Sequence, residues 1–153
     1  MPNALQEYLV SVTEKAAKDL VTALERIPVE KRAWSPAETA RTALDQVAEC
    51  AILAGSTAEI LESRSWMRGS YEEYLQRKAA LAAGDPAAIF ALLDANLVKL
   101  VAVIRAIPDD ALNVTMETPF GTLSLSQIMG YPYWNMAYHE GQINYIASIL
   151  GCL

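Results

Sequence analysis

Residues 124–150 read SLSQIMGYPYWNMAYHEGQINYIASIL and predict the last long helix of the chain. Ser124 and Gln127 match a capping box, in which each side chain binds the backbone N–H of the other residue. Gly151 follows the segment, and glycine is common at the left-handed position that ends a helix. Pro132 lies inside the segment together with Gly130. Because proline removes a backbone hydrogen bond, we expect a kink there.

Three earlier segments carry apolar residues at the i, i+3, i+4 spacing of amphipathic helices. The first covers residues 3–27 and ends at Pro28. The second begins at a capping-box pattern, Ser35-Pro36-Ala37-Glu38, and ends near residue 62. The third begins at Asp85, an N-cap residue followed by a proline, and ends at residue 107. Two connections are long. Residues 63–84 can hold a short helix over residues 71–83, and residues 114–123 predict a small hairpin or a single extended strand.

The two halves of the chain resemble each other around two prolines. Pro28 and Pro108 lie 80 positions apart, and each follows an isoleucine at the end of a predicted helix. Each is followed by an irregular stretch and then a capping-box pattern, which suggests two related helix pairs. We therefore predict an all-α fold: a single four-helix-bundle domain over residues 1–153, with long connections and a small extended segment before the last helix.

Composition narrows the functional classes. Hydrophobic residues make up 53% of the chain, so it can bury a full core, and charged residues make up 20%. The net charge of −6 argues against nucleic-acid binding. No uninterrupted apolar run reaches the ~18 residues of a membrane span, and the N-terminus lacks the features of a signal peptide. Because the N-terminus does not resemble a signal peptide, we expect a cytoplasmic protein. Two cysteines are too few for a disulfide framework.

A homodimer is the expected assembly. The chain is unusually apolar for its length, and the second predicted helix has apolar residues outside its main stripe, at Ile52, Leu53 and Ile60. Such a helix either lies at the centre of a bundle or faces both a core and a subunit interface.

The chain contains one histidine, His139, so a three-histidine zinc site is excluded. Asn135, His139 and Gln142 share one face of the last helix. His139 also lies in an apolar stripe, so it is either a core histidine bonded to a neighbour or a ligand or base on the inner wall of a bundle. Four aromatic residues lie nearby and suit either a bundle end or dimer interface, or a ligand pocket: Tyr131, Tyr133, Trp134 and Tyr138.

The Pro119-Phe120-Gly121 turn, the capped helix after it and residues 139–143 (HEGQI) resemble the closing half of the DinB/YfiT-like superfamily. Residues 34–50 resemble its second helix. The resemblance implies a four-helix bundle and a divalent metal held by three histidines, one from the second helix and two from the last. His139 matches the last histidine, Asn135 takes the place of the other histidine of that helix, and Glu49 takes the place of the histidine of the second helix.

A carboxylate, an amide oxygen and one imidazole form a poorer cage for Zn²⁺ or Ni²⁺ than three histidines do. We therefore expect an incomplete metal site formed by His139, Asn135 and Glu49, with a weakly bound divalent metal or none. Glu49 can instead pair directly with His139, as an acid–base dyad or a buried pair. On a helical wheel Glu49 points away from the main apolar stripe, so it is either a surface charge or part of a pocket wall. Cys50 is expected to be a small core residue.

Two functions follow from the resemblance. The first is a DinB-like protein of undefined activity with an incomplete metal site centred on His139, which binds a small molecule or acts as a non-catalytic dimeric bundle. The alternative is a metal-dependent enzyme of the thiol transferase or hydrolase type that uses His139, Glu49 and Asn135. The sequence leaves open whether the protein is an enzyme.

Overall fold

The computed structural model describes residues 3–66 and 69–153. Within these residues the chain forms five helices: α1 (Ala4–Glu25), α2 (Ala43–Ser63), α3 (Tyr71–Ala83), α4 (Pro86–Ala106) and α5 (Leu125–Ile149). Strands β1 (Thr115–Thr118) and β2 (Gly121–Ser124) form an antiparallel hairpin before α5. The predicted all-α class with one small extended segment is confirmed.

The long helices form two parallel pairs that run in opposite directions. In the pair α2 and α4, Asn96 binds the carbonyl of Ala51, and further along both helices Lys99 lies 3.3 Å from Glu62. In the pair α1 and α5, Leu9 lies beside Gly130, and Arg26 binds Asn144 near the other end. Between α2 and α5 the contacts run in opposite order, since Gln46 meets His139 and Cys50 meets Asn135. Helix α3 returns the chain from the end of α2 to the start of α4.

Helix α2 is the central element of the bundle. It contacts α1, α3, α4 and α5. Of the three apolar residues outside its main stripe, Ile52 and Ile60 are only 2% and 4% exposed, and Leu53 is half-buried. Of the two explanations for these residues, the structure therefore supports a central helix, and a subunit interface on α2 is not needed to cover them.

The predicted start of the second helix is wrong. Helix α2 begins at Ala43, where the Thr42 hydroxyl accepts a hydrogen bond from the backbone N–H of Asp45 at 3.1 Å. The Ser35 hydroxyl instead donates to the carbonyls of Ala37 and Ala40 and closes a turn. Because Thr42 binds a backbone N–H of the first turn, the helix needs no cap from Ser35, and residues 35–41 form an irregular connection.

The other local signals are confirmed. Asp85 caps α4, Ser124 and Gln127 form a capping box on α5, and Gly151 takes the left-handed conformation with φ of 71°. Pro28 and Pro108 each precede a short 3₁₀ turn, Val29–Lys31 and Asp109–Ala111. The likeness of the two halves therefore extends to their local structure. Helix α5 continues through Pro132, and the kink there remains a prediction.

One helix, Pro86–Ala106, is long and apolar enough to cross a membrane by length and composition, with a mean hydropathy of 2.1 over its best window and 28% of that window buried. A helix that packs on a protein core passes the same test. This one packs against α2 through residues such as Leu93 and Leu100, which are buried.

A close contact sets the spacing of α2 and α4. A Cβ atom on residue 55 would lie 2.6 Å from the side-chain nitrogen of Asn96, so glycine leaves room for that amide. The same nitrogen donates to the Ala51 carbonyl at 2.7 Å. Gly55 and Asn96 therefore fix how closely the two helices approach.

We expect Gly55→Ala to lower the stability of the wild-type chain, because the new methyl group displaces Asn96 from Ala51 and a lost buried hydrogen bond costs about 1 kcal/mol. In an Asn96→Ala background the same substitution should raise stability by about 0.5–1 kcal/mol, since alanine favours a helix over glycine. Urea unfolding of the four variants measures both effects. If Gly55→Ala changes stability in the same direction in both backgrounds, residue 55 does not limit the position of Asn96.

Candidate functional site

The three predicted site residues lie together between α2 and α5. His139 Nε2 lies 3.0 Å from Glu49 Oε1, and Asn135 Nδ2 donates to the same oxygen at 3.1 Å. His139 and Asn135 are each 3% exposed, so both face the interior of the bundle. Glu49 is neither a solvated surface charge nor fully enclosed, because its side chain is 16% exposed.

The other oxygen of Glu49 faces two cations. Arg41 Nη2 lies 2.8 Å and Lys78 Nζ 3.7 Å from Glu49 Oε2. Asp45 binds the same two residues, with Arg41 Nε at 2.5 Å and Lys78 Nζ at 3.4 Å. Two carboxylates and two permanent cations therefore balance each other. We call these four residues, with Asn135 and His139, the Glu49 network.

Two glutamines hold the far side of the imidazole ring. His139 Nδ1 lies 2.9 Å from Gln46 Oε1 and 3.0 Å from Gln142 Oε1. Because Glu49 is an acceptor, Nε2 carries a proton and donates to it. Amide oxygens also turn towards Nδ1, so both ring nitrogens face hydrogen-bond acceptors.

The surroundings of Glu49 keep it ionised. Burial alone acts to raise its pKa, but hydrogen bonds from His139 and Asn135 and the charge of Arg41 outweigh burial and lower the pKa to about 2. A carboxylate with so low a pKa is a weak base at neutral pH. The folded chain therefore favours the ionised form of Glu49.

Cys50 occupies the remaining side of Asn135. Its Sγ donates to Asn135 Oδ1 at 3.3 Å, and its side chain is fully buried. Burial, with the nearby Glu49 charge, raises the pKa of the thiol, so it stays protonated. The amide of Asn135 is thus engaged at both ends, by Cys50 and by Glu49.

Two tyrosines flank the network. Burial, and after it the charge of Glu49, raises the pKa of Tyr74 on α3 and of Tyr131 on α5. The rings of Tyr131 and Trp134 stack at 5.4 Å between centroids, and those of Trp134 and Tyr138 at 5.5 Å. These three residues, here called the aromatic ladder, form one exposed row. Tyr133 packs against the core instead, so the four predicted aromatic residues do not form a single cluster.

Sequence reasoning missed Arg41, Asp45, Gln46 and Lys78. Arg41, Asp45 and Glu49 follow each other at four-residue intervals, with Asp45 and Glu49 one turn apart in α2 and Arg41 in the connection before it. That pattern was a usable signal. Lys78 comes from α3, and nothing in its local sequence indicates a contact with α2.

The donor atoms do not fit a divalent metal ion. No group of three His, Cys, Asp or Glu side chains that could hold a metal occurs within residues 3–66 and 69–153. Asn135, the third predicted ligand, turns its oxygen to Cys50 and its nitrogen to Glu49. Arg41 and Lys78 already supply the positive charge beside Glu49, and a nearby cation disfavours a second one.

The chain matches no known family model, and no curated protein matches it in sequence. Solved structures do share its fold. YfiT from Bacillus subtilis, described as a probable metal-dependent hydrolase with an unusual four-helix bundle topology, superposes with a TM-score of 0.81 at 17% identity, over 95% of this chain and 87% of YfiT.

Two further structures resemble the chain. The mycothiol-dependent maleylpyruvate isomerase gives a TM-score of 0.72 at 17% identity, over 90% of this chain but only 60% of the isomerase. The colibactin self-resistance protein ClbS, solved in complex with double-stranded DNA, gives 0.69 at 13% identity, over 94% of this chain and 95% of ClbS. The four-helix-bundle fold that the resemblance implies is therefore confirmed.

If Glu49 and His139 act as a unit, the substitutions Glu49→Gln and His139→Gln should not be additive. Each single change leaves a charged or polar partner buried, at a cost of up to about 3–5 kcal/mol where nothing else compensates it. We expect the double variant to cost about 1–3 kcal/mol less than the sum. The exposed pair Lys15 and Asp19 is the control, and its cycle Lys15→Gln and Asp19→Asn should show little or no coupling. Equal coupling energies in the two cycles would show that Glu49 and His139 do not act as a unit.

The lowered pKa of Glu49 predicts a specific loss of stability in acid. Its folded-state pKa of about 2 lies below the ordinary value of 4.5, so its contribution is complete above pH 4.5 and disappears as the pH falls towards 2. The loss should reach about 3 kcal/mol at most. Wild-type protein should therefore lose more unfolding free energy than Glu49→Gln between pH 5 and pH 2.5. Parallel pH profiles for the two proteins would show that the carboxylate is not stabilised in the folded state.

Proposed function

We propose that this chain is a DinB-like bundle in which an ion-pair network replaces a metal centre, and that it works as a non-catalytic, small-molecule-binding homodimer in the cytoplasm. The observation that carries the proposal is the environment of Glu49. Its carboxylate has four polar partners: His139, Asn135, Arg41 and Lys78.

These partners supply the positive charge that a metal ion would otherwise place beside Glu49. An ionised carboxylate between helices needs compensating charge and hydrogen bonds. Here Arg41 and Lys78 provide the charge, while His139 and Asn135 provide donors. No oxygen of Glu49 is left without a partner, so the residues predicted as metal ligands hold each other instead.

A cavity of about 530 Å³ between α2 and α3 offers room for a ligand. Its apolar walls are Ile52, Ile60, Trp66 and Tyr74. Its other lining side chains are mostly polar or charged: Ser56, Glu59, Glu62, Ser63, Ser65, Ser70, Glu73 and Arg77. Ligand sites commonly have this size, and so many polar groups favour a polar ligand. Tyr74 also borders Glu49, so a molecule in this cavity would lie next to the network.

The competing function is a divalent-metal-dependent enzyme that uses His139, Glu49 and Asn135. The names of two structural neighbours support it, since YfiT is described as a probable metal-dependent hydrolase and another neighbour as a mycothiol-dependent isomerase. The Arg41 and Lys78 contacts oppose it, because a metal ion would have to displace both from Glu49.

Nucleic acid is not the partner that we propose. ClbS was solved with double-stranded DNA, but this chain carries a net charge of −6. Duplex DNA is recognised largely through its phosphates, which require clustered Lys and Arg. Arg41 and Lys78 are already paired with carboxylates.

We expect protein purified without a histidine tag to contain far less than one Zn²⁺ or Ni²⁺ per chain, and added Zn²⁺ to leave its melting temperature unchanged. The matched variant Glu49→His with Asn135→His restores a three-histidine set and should gain metal and a higher melting temperature in Zn²⁺. Elemental analysis and thermal unfolding measure both. Tightly bound, stoichiometric metal in the wild-type chain would overturn the proposal in favour of the enzyme.

A further inference from the structure

The solvent-facing side of α5 carries no charged side chain. The exposed residues of this helix are Gln127, Tyr131, Trp134, Tyr138, Gly141, Gln142, Tyr145, Ser148 and Ile149. We call this set the α5 face. The one carboxylate of the helix, Glu140, is half-buried, and the one histidine is buried. Depletion of charge and enrichment in Tyr and Trp are the compositional marks of a protein interface.

Large rings supply most of the α5 face. Tyr131, Trp134, Tyr138 and Tyr145 are 40%, 54%, 52% and 70% exposed. A fully buried aromatic side chain covers about 150–250 Å², so these four rings leave roughly 400 Å² in solvent. That is about half of the ~800 Å² that each partner contributes to a stable interface of standard size.

A gap lies beside the rings. Gly141 sits on the α5 face between Tyr138 and Tyr145, and a Cβ atom there would meet nothing within 4 Å. Trp134 precedes Gly141 by seven positions, which is about two helical turns or ~10.5 Å on the same side of the helix. The face therefore presents one large side chain and one gap at a fixed separation.

We propose that the α5 face pairs with the α5 face of a second copy of this chain, the two helices running antiparallel, so that Trp134 of each copy packs over Gly141 of the other. The two-fold axis then passes between Ala137 and Tyr138, midway between Trp134 and Gly141. An isologous interface requires a patch that is complementary to itself, and a protruding ring with a matching gap meets that requirement. This interface rests on the homodimer proposed above and names the surface that forms it.

Charge indicates which face a second copy can approach. The chain carries a net charge of −6, so two copies repel each other across faces that carry carboxylates. The α5 face adds no charge, so a contact between two such faces avoids that repulsion. Ser148 and the side-chain N–H groups of Gln127 and Gln142 provide neutral hydrogen-bonding groups around the rings, while the oxygens of the two amides bind Ser124 and His139.

The test is sedimentation velocity of the full chain from 1 to 200 μM. Wild-type protein should be a dimer. Gly141→Leu should raise the dimer dissociation constant at least tenfold while the monomer stays folded, because the new side chain has space in the monomer but fills the gap that receives Trp134. Trp134→Glu, which adds a charge to an exposed position, should have the same effect. Ala91→Leu, on the exposed side of α4, is the matched control and should leave the dimer unchanged.

The outcomes separate the two proposals. Wild-type protein that stays monomeric up to 200 μM would overturn both the homodimer and the α5 interface. A dimer that is insensitive to Gly141→Leu and Trp134→Glu, or equally sensitive to Ala91→Leu, would leave the homodimer standing and overturn the α5 interface alone. Circular dichroism and thermal unfolding of each variant show that a change in assembly does not come from a loss of folding.

Discussion

The ionised carboxylate of Glu49 is the constraint on which the arrangement of α2, α3 and α5 depends. A charge held mostly out of water is tolerated only where hydrogen bonds and opposite charges surround it. Glu49 finds His139 and Asn135 on α5, Lys78 on α3 and Arg41 in the connection just before its own helix. Helix α3 has no fully buried residue, so the contacts of Lys78 with Asp45 and Glu49 are a specific attachment of this crossover helix to the bundle.

The same constraint explains why Glu49, Asn135 and His139 hold each other. Three histidines are neutral donors whose lone pairs can converge on one cation. Here one position holds a carboxylate and another holds an amide, and these two groups satisfy each other directly. A carboxylate between helices needs positive charge beside it, and Arg41 and Lys78 supply that charge.

The sequence predicted local structure well and packing less well. The caps at Asp85 and Ser124 and the hairpin turn at 119–121 depend on neighbouring residues, so their patterns were sufficient. The predicted start of α2 was wrong because the Ser35 hydroxyl binds the carbonyls of Ala37 and Ala40, and Thr42 caps the helix instead. The position of Glu49 on a helical wheel was ambiguous because α2 is enclosed by four helices, and a single apolar stripe does not describe such an element. The contact of Glu49 with His139 came from the family resemblance, and the roles of Arg41 and Lys78 came only from the structure.

Helix α5 presents two different surfaces on its inner and outer sides. Its inner side donates hydrogen bonds to Glu49 through Asn135 and His139, and its outer side presents an uncharged row of rings. Tyr131 belongs to both, since it is part of the aromatic ladder and its pKa responds to the charge of Glu49. A carboxylate on the outer side of α5 would add repulsion towards Glu49 as well as a charge to the α5 face. The scarcity of charged residues in α5 therefore limits repulsion towards Glu49 and also keeps the α5 face uncharged.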